Sequence, residues 1–174
     1  MPYALSLLLD DEAAVAIRRQ WDRLAADGLS QSMPDLGYPP HVTLVVCERL
    51  DGRAAPVLDG MIRQQPAFDF SLTLTETFGP DSGVIYAALA PCETLRALHA
   101  QVAGVVSDTC RPHYQPGHWT PHCTLATGLS AAQLDQARRM FEQHWVSLAG
   151  RFVAAELVAI APITPVKRWP LHPR

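Results

Sequence analysis

Apolar residues run almost unbroken from position 3 to 9, YALSLLL, a pattern that predicts a short buried strand. Asp10 and Asp11 follow. Either carboxylate can cap a helix by accepting the backbone N–H groups that a first turn leaves without partners. Ala14, Ile17, Trp21 and Leu24 then recur at helical spacing, and Gly28 suits the helix end. A loop of turn formers, GLSQSMPDLGYPP, carries the chain to His41. HVTLVV reads as a second strand. A shorter helix is predicted over about 54–65, with Pro56 tolerable in its first turn. FDFSLTLT, 68–75, alternates apolar and polar residues as a half-buried strand does, and GPDSG, 79–83, is a turn cluster.

The same order then begins again. VIYAALA, 84–90, reads as a strand, and Leu95, Leu98, Val102 and Val105 mark one face of a helix. The loop CRPHYQPGHWTP leads to His122, and HCTLAT reads as a strand. Ser130 can cap a helix with Leu134, Ala137, Phe141 and Leu148 on its inner side. RFVAAELVAIA, 151–161, closes the regular structure, and the proline-rich tail PITPVKRWPLHPR is expected to be irregular. His99 and His144, on the predicted helices, read as surface or boundary residues.

A shift of 81 residues relates the two halves. It carries His41 onto His122, strand 3–9 onto 84–90, and the helix face Ala14, Ile17, Trp21, Leu24 onto Leu95, Leu98, Val102, Val105. Tyr38, Pro40, Thr43 and Leu44 land on Trp119, Pro121, Thr124 and Leu125. Beyond the histidine strands the register is expected to decay, and Pro56 has no matching proline. The chain of 174 residues therefore reads as a single domain of two related strand–helix–strand lobes, about 1–80 and 81–161, followed by the irregular tail.

Composition adds limits. Nearly half the residues are apolar, enough for a substantial core. The net charge of −3 argues against a long nucleic acid held through many phosphates, yet leaves room for a small anion held by a few local donors. Cys47, Cys92, Cys110 and Cys123 form no CxxC pair or zinc spacing and read as free thiols in a reducing cytosol. The first residues lack a basic leader and meet Asp10, Asp11 and Glu12 at once, so a strand fits better than a signal peptide. No apolar run approaches the roughly 20 residues of a membrane span. The expected setting is cytoplasmic, with no membrane and no obligatory protein partner.

The doubled segments YPPHVTL and HWTPHCTL carry the candidate chemistry. Residues two apart on a strand share a face, so His41 points with Thr43 and His122 with Thr124, while Val42, Leu44, Cys123 and Leu125 point away. If the lobes pair about an approximate two-fold axis, both His–Thr faces meet in one cleft. Two imidazoles across a cleft suit acid–base work near neutral pH, one neutral and one protonated. Two threonine hydroxyls can donate to the non-bridging oxygens between them. A phosphodiester matches that frame, and no cofactor is required. A metal site is the rival reading. Two histidines are a thin ligand set for zinc, however, and Cys123 points away from His122, so no metal ligands are assigned.

PHVTL at 40–44 and PHCTL at 121–125 resemble the paired His-x-Thr-x motifs of the two-histidine phosphoesterase superfamily, which contains the 2′-5′ RNA ligase-like proteins and cyclic phosphodiesterases. The resemblance extends through element order over about residues 3–161. It implies an α+β fold, bilobal and pseudo-two-fold, with two mostly antiparallel sheets lining a central cleft and helices outside. It also implies metal-independent reaction at 2′,3′-cyclic or 2′-5′ phosphodiester bonds of nucleotides or RNA ends. By motif match, His41 and His122 are the acid–base pair and Thr43 and Thr124 hold the phosphate. Pseudo-symmetry leaves open which histidine is acid and which is base. Many RNA ligase-like members carry an arginine shortly after the second motif, where this chain has Ala126 and Thr127. That departure favours a small cyclic nucleotide or cyclic phosphate sugar over a long RNA.

Several residues near the motifs have two readings each. Tyr38 and Trp119, three before each histidine, can stack on a base or pack the loop ends. Arg111 can meet a second phosphate or remain a solvated charge, and His113 and His118 read as surface residues. Lys167, Arg168 and Trp169 in the tail can cover the cleft, but the sequence does not place them. Two other functions compete with hydrolysis: a module that binds a nucleotide or RNA end without turnover, and an RNA 2′-5′ ligase using the same residues.

Overall fold

The computed structural model describes residues 1–173. The first strand, β1 (Tyr3–Leu9), leads into helix α1 (Asp11–Ala26), whose N-terminus is closed by the Asp10 carboxylate accepting from the Ala13 N–H at 2.8 Å. A short helix, α2 (Ser32–Leu36), lies inside the segment expected to be loop. Strand β2 (His41–Cys47), helix α3 (Ala54–Arg63) and strand β3 (Phe68–Thr77) complete the first half. The second half runs β4 (Ile85–Leu89), α4 (Glu93–Val105), β5 (His122–Ala126), α5 (Ala131–His144) and β6 (Leu148–Ala159). A single 3-10 turn, Pro112–Tyr114, punctuates the loop before β5. Ser130 and Gln133 cap α5 reciprocally, each side chain satisfying the other's backbone N–H.

The fold is α+β, and every pairing between these strands is antiparallel. The strand order is β2-β1-β6-β3-β4-β5. The expected pair of sheets is joined into one through β6: its first residues, Leu148–Phe152, pair with β3, and its later ones pair with β1. The two halves of the sequence exchange their third strands. β3, from the first half, lies beside β4, and β6, from the second, lies beside β1. The 81-residue shift that was expected to decay also superposes β3 on β6, so element positions recur where residue types no longer do.

Helix α5 stops at His144, and Leu148 begins β6 rather than ending the helix, because the chain turns extended at Trp145. The tail is not irregular. Residues Thr164–Pro170 form a strand, β7, paired with β6. The prolines suggested irregular structure, but β7 pairs with β6 alone, and at such an edge a missing N–H breaks no inner ladder bond. Trp169 fastens this strand by burying its ring and donating Nε1–H to Asp59 of α3 at 2.6 Å. Lys167 and Arg63 pair with the same carboxylate and, with the indole, hold it well below the usual carboxylate range.

The main core fills the space between one face of the sheet and the helices, with Leu5, Leu7, Ile17, Leu44, Leu98 and Phe141 among its buried members. A second, smaller cluster, Ala4, Leu8, Tyr38, Val46, Ala154 and Val158, covers the opposite face of β1 and β6. Among the described residues no helix is long and apolar enough to cross a membrane.

One glycine controls entry to β4. Gly83 has φ +63°, and a Cβ placed there lies 2.7 Å from the Leu129 carbonyl oxygen, a backbone atom that cannot swing aside. Its own carbonyl accepts from the Leu129 N–H at 3.0 Å, tying this turn to the one after β5. Gly83→Ala is expected to cost about 2–3 kcal/mol of stability through left-handed strain and overpacking. Denaturant unfolding of the variant checks it, and a midpoint equal to wild type would refute the close approach.

Candidate active site

His41 opens β2 and His122 opens β5, and the two are held alike. The Nδ1 of His41 lies 2.8 Å from the Pro39 carbonyl, and the Nδ1 of His122 lies 2.7 Å from the Thr120 carbonyl. A carbonyl can only accept, so Nδ1 carries the proton in each ring and Nε2 is left as the reactive nitrogen. Both accepting residues precede a proline, Pro40 or Pro121, which biases them to extended backbone and so aims the carbonyl back at the ring. The proline of the repeated motif therefore acts locally, by setting the imidazole tautomer.

The two histidine strands stand at opposite ends of the strand order, yet the sheet brings β2 and β5 together. Two indoles close the approach. Trp119 donates Nε1–H to the Thr43 carbonyl at 3.0 Å, and Trp21 of α1 donates to the Thr124 carbonyl at 3.2 Å. Beneath them Cys123 is buried beside the His41 backbone, and burial pushes its thiol up to about 12. The imidazoles are close enough to sense each other. Burial lowers His41 to about 4, and the charge of His122 adds to that fall. Burial also lowers His122, to a smaller extent. The first proton taken up by the pair therefore goes to His122.

Each threonine begins a polar row across the sheet. On one side Thr43 is in register with Ser6 of β1, Ser6 with Glu156 of β6, and Glu156 with Arg168 of β7. The Thr43 and Ser6 hydroxyls are hydrogen-bonded at 3.2 Å. On the other side Thr124 is in register with Tyr86 of β4 and Tyr86 with Glu76 of β3. The Tyr86 hydroxyl donates to Glu76 Oε2 at 3.1 Å.

Aromatic rings enclose the two histidines unequally. Tyr38 meets His41 edge to face, with centroids 4.8 Å apart. Phe78 does the same to His122 at 4.9 Å, and Tyr86 lies at 5.2 Å. A cavity of about 420 Å³ opens beside His122, lined by Phe78, Tyr114, Trp119 and Thr120, with His113 and His118 at its exposed mouth.

The positions expected to match, Tyr38 and Trp119, thus do different things. Tyr38 is buried against His41. Trp119 anchors the loop to β2 and stacks on His99, with centroids 3.9 Å apart and planes 6° from parallel. His99 is not a surface residue: it is 4% exposed, and its Nε2 lies 2.8 Å from the Tyr114 carbonyl. Arg111 is not brought to the histidines. It pairs with Glu48 at 2.6 Å, beyond the far end of β2 and roughly 20 Å along the strand from His41.

Ser6, Glu76, Phe78, Tyr86 and Glu156 lie outside the motifs and were not expected at the site. A signal existed for two of them. Ser6 is the one hydroxyl within the apolar run ALSLLL, and Glu156 is the one charge within VAAELVAIA. A polar residue inside a buried strand needs a partner or a function. Among the described residues no group of three or more His, Cys, Asp or Glu side chains gathers as a metal site.

The sequence model of the 2′-5′ RNA ligase superfamily matches residues 11–161. The crystal structure of E. coli LigT complexed with 3′-AMP superposes with a TM-score of 0.60 at 21% identity, covering 98% of this chain and 99% of that one. The crystal structure of TT0787 of Thermus thermophilus superposes with a TM-score of 0.61 at 18% identity, over 100% of both chains. At these identities the two structures establish a common fold and nothing finer. No curated protein matches the sequence.

Proposed function

Because the chain belongs to the 2′-5′ RNA ligase superfamily, we propose that it is a metal-independent phosphodiesterase acting on 2′,3′-cyclic phosphate or 2′-5′ phosphodiester bonds of small nucleotides or RNA ends. The observation that carries this reading is the matched pair of histidines. Each has its Nδ1–H held by a pre-proline carbonyl and a threonine two residues on.

Hydrolysis of a 2′,3′-cyclic phosphate proceeds as follows. Neutral His41 takes a proton from water through Nε2 as the water oxygen attacks phosphorus. The bond from phosphorus to one ribose oxygen breaks, and protonated His122 gives its proton to that oxygen. Thr43 and Thr124 donate hydrogen bonds to the non-bridging oxygens as their charge builds. Acid and base together supply both proton transfers, so the step needs no metal ion. The base is assigned to His41 because its proton affinity is the lower of the two. A substrate bound in the reverse direction exchanges the roles. The crystal structure of E. coli LigT complexed with 3′-AMP supports the reading, since a nucleoside 3′-monophosphate is the kind of product that opening a 2′,3′-cyclic phosphate yields.

The test is hydrolysis of 2′,3′-cyclic nucleotides and 2′-5′ dinucleotides in EDTA, followed as a function of pH. The free enzyme needs His41 unprotonated and His122 protonated. The first condition is lost as pH falls through about 4, and the second as pH rises through a value below 6.5. A bell-shaped kcat/KM profile with its maximum on the acid side of neutrality is therefore expected. Tight nucleotide binding without turnover would instead identify a binding module. Joining of RNA ends without hydrolysis would identify a ligase.

A further inference from the structure

Strands β2 and β5 carry both His–Thr pairs, yet they form no ladder with each other. They are the two ends of the strand order and still come together in space. An end strand has backbone carbonyls along its free side that no neighbouring strand satisfies. Between β2 and β5 two indoles supply donors. Trp119, from the second half of the chain, donates to the Thr43 carbonyl in the first half. Trp21, from the first half, donates to the Thr124 carbonyl in the second. The exchange is reciprocal. In each case the acceptor is the threonine two residues after the histidine.

Both indoles are held firmly enough to fix what they bind. Trp21 is 4% exposed and shares the buried face of α1 with Ile17 and Leu24. Trp119 lies flat against the buried His99, whose Nε2 is tied to the Tyr114 carbonyl. The residue after it, Thr120, holds the Nδ1 of His122, so Trp119 touches the machinery of both halves. A donor on a threonine carbonyl fixes where that residue's hydroxyl stands, and the strand carries the constraint back to the imidazole. Displacement at phosphorus needs base, phosphate and acid at set distances, and a shift of about 1 Å can cost a hundredfold in rate. The sheet alone would set that spacing through four intervening strands, β1, β6, β3 and β4. The two indoles set it directly.

We propose that Trp21 and Trp119 are positioning residues, a reciprocal clamp that fixes the separation of the two His-x-Thr strands. Its effect on rate rests on the phosphodiesterase reading, whereas the separation is a property of the free protein.

Trp21→Phe and Trp119→Phe keep an aromatic ring and remove the N–H. Trp145→Phe is the control, because its indole donates to a carbonyl at 3.2 Å on β3, on neither histidine strand. Each clamp variant is expected to lower kcat by about tenfold while KM changes by less than about threefold. The acid limb of the pH profile is expected to move to higher pH in both, since a more distant His122 charge lowers His41 less. Trp145→Phe is expected to keep the wild-type rate and profile. A crystal structure of the Trp21→Phe, Trp119→Phe double variant is expected to show Thr43 and Thr124 farther apart than in wild type. Should the volume lost at Trp21 prevent folding, Trp119→Phe, at a partly exposed position, carries every readout alone. Clamp variants with wild-type kcat, a loss matched by Trp145→Phe, or an unchanged Thr43–Thr124 separation overturns the clamp. Wild type inactive on every cyclic and 2′-5′ substrate removes the phosphodiesterase reading instead, and the separation then decides the clamp by itself.

Discussion

Replacement of either histidine by alanine is expected to lower kcat by about a thousandfold, within the usual range for a general acid or base. The two variants are expected to fall by similar factors, because each removes one end of the same proton transfer. The pH profiles distinguish them. His41→Ala loses the base and with it the acid limb that His41 sets near pH 4, while the alkaline limb from His122 remains. His122→Ala loses the alkaline limb. It also relieves His41 of a neighbouring charge, so the remaining limb moves to higher pH. Addition of EDTA is expected to change neither wild type nor variants. Retention of more than about a tenth of wild-type kcat in both variants would show that the imidazoles are not the acid and base.

Loss of a threonine hydroxyl has the next largest expected effect. Thr124→Val keeps the side-chain shape and removes one donor to the phosphate, and kcat is expected to fall by about a hundredfold, as when one oxyanion donor is deleted. Thr43→Val is expected to cost a similar factor in rate and also to lose stability. The Thr43 hydroxyl is the partner of Ser6, which is almost completely buried, and the variant leaves that hydroxyl stranded at a cost of about 1–2 kcal/mol. Rate and unfolding midpoint measured on both variants check the asymmetry. A double variant, Ser6→Ala with Thr43→Val, is expected to recover the stability but not the rate. Equal stability of the two single variants would mean that the Thr43–Ser6 hydrogen bond contributes little.

Much of the local structure was legible because it is set by neighbours in sequence. The caps of α1 and α5, the buried helix faces and the alternation of β2 and β5 all follow from residues a few positions apart. The misreadings have equally physical causes. The tail looked irregular because prolines are common in it, yet β7 is an edge strand, where prolines do little harm. His99 read as a surface or boundary residue because it stands one position off the apolar stripe that Leu98 marks on its helix. Packing beneath the long loop, with Trp119 laid flat on its ring, is what buries it.

The sequence by itself determined the recurring strand–helix–strand order and the doubled Pro-His-x-Thr-Leu. It also determined which residues of β2 and β5 share a face, because a strand's period of two leaves no freedom once the strand exists. Only the tertiary structure decided that the ends of the sheet meet and that β3 and β6 change places. The row from Thr43 to Arg168 likewise depends on the way β6 and β7 return to β1. Those outcomes rest on pairing between residues far apart in the chain, such as Ser6 with Glu156, whose register is selected by the packing of the whole sheet rather than by local propensity. The same long-range pairing makes the two histidines unequal. Their motifs match, but Tyr38 packs on His41 whereas Phe78 and Tyr86 pack on His122, and those last two come from β4 and the turn after β3, which the motif does not encode.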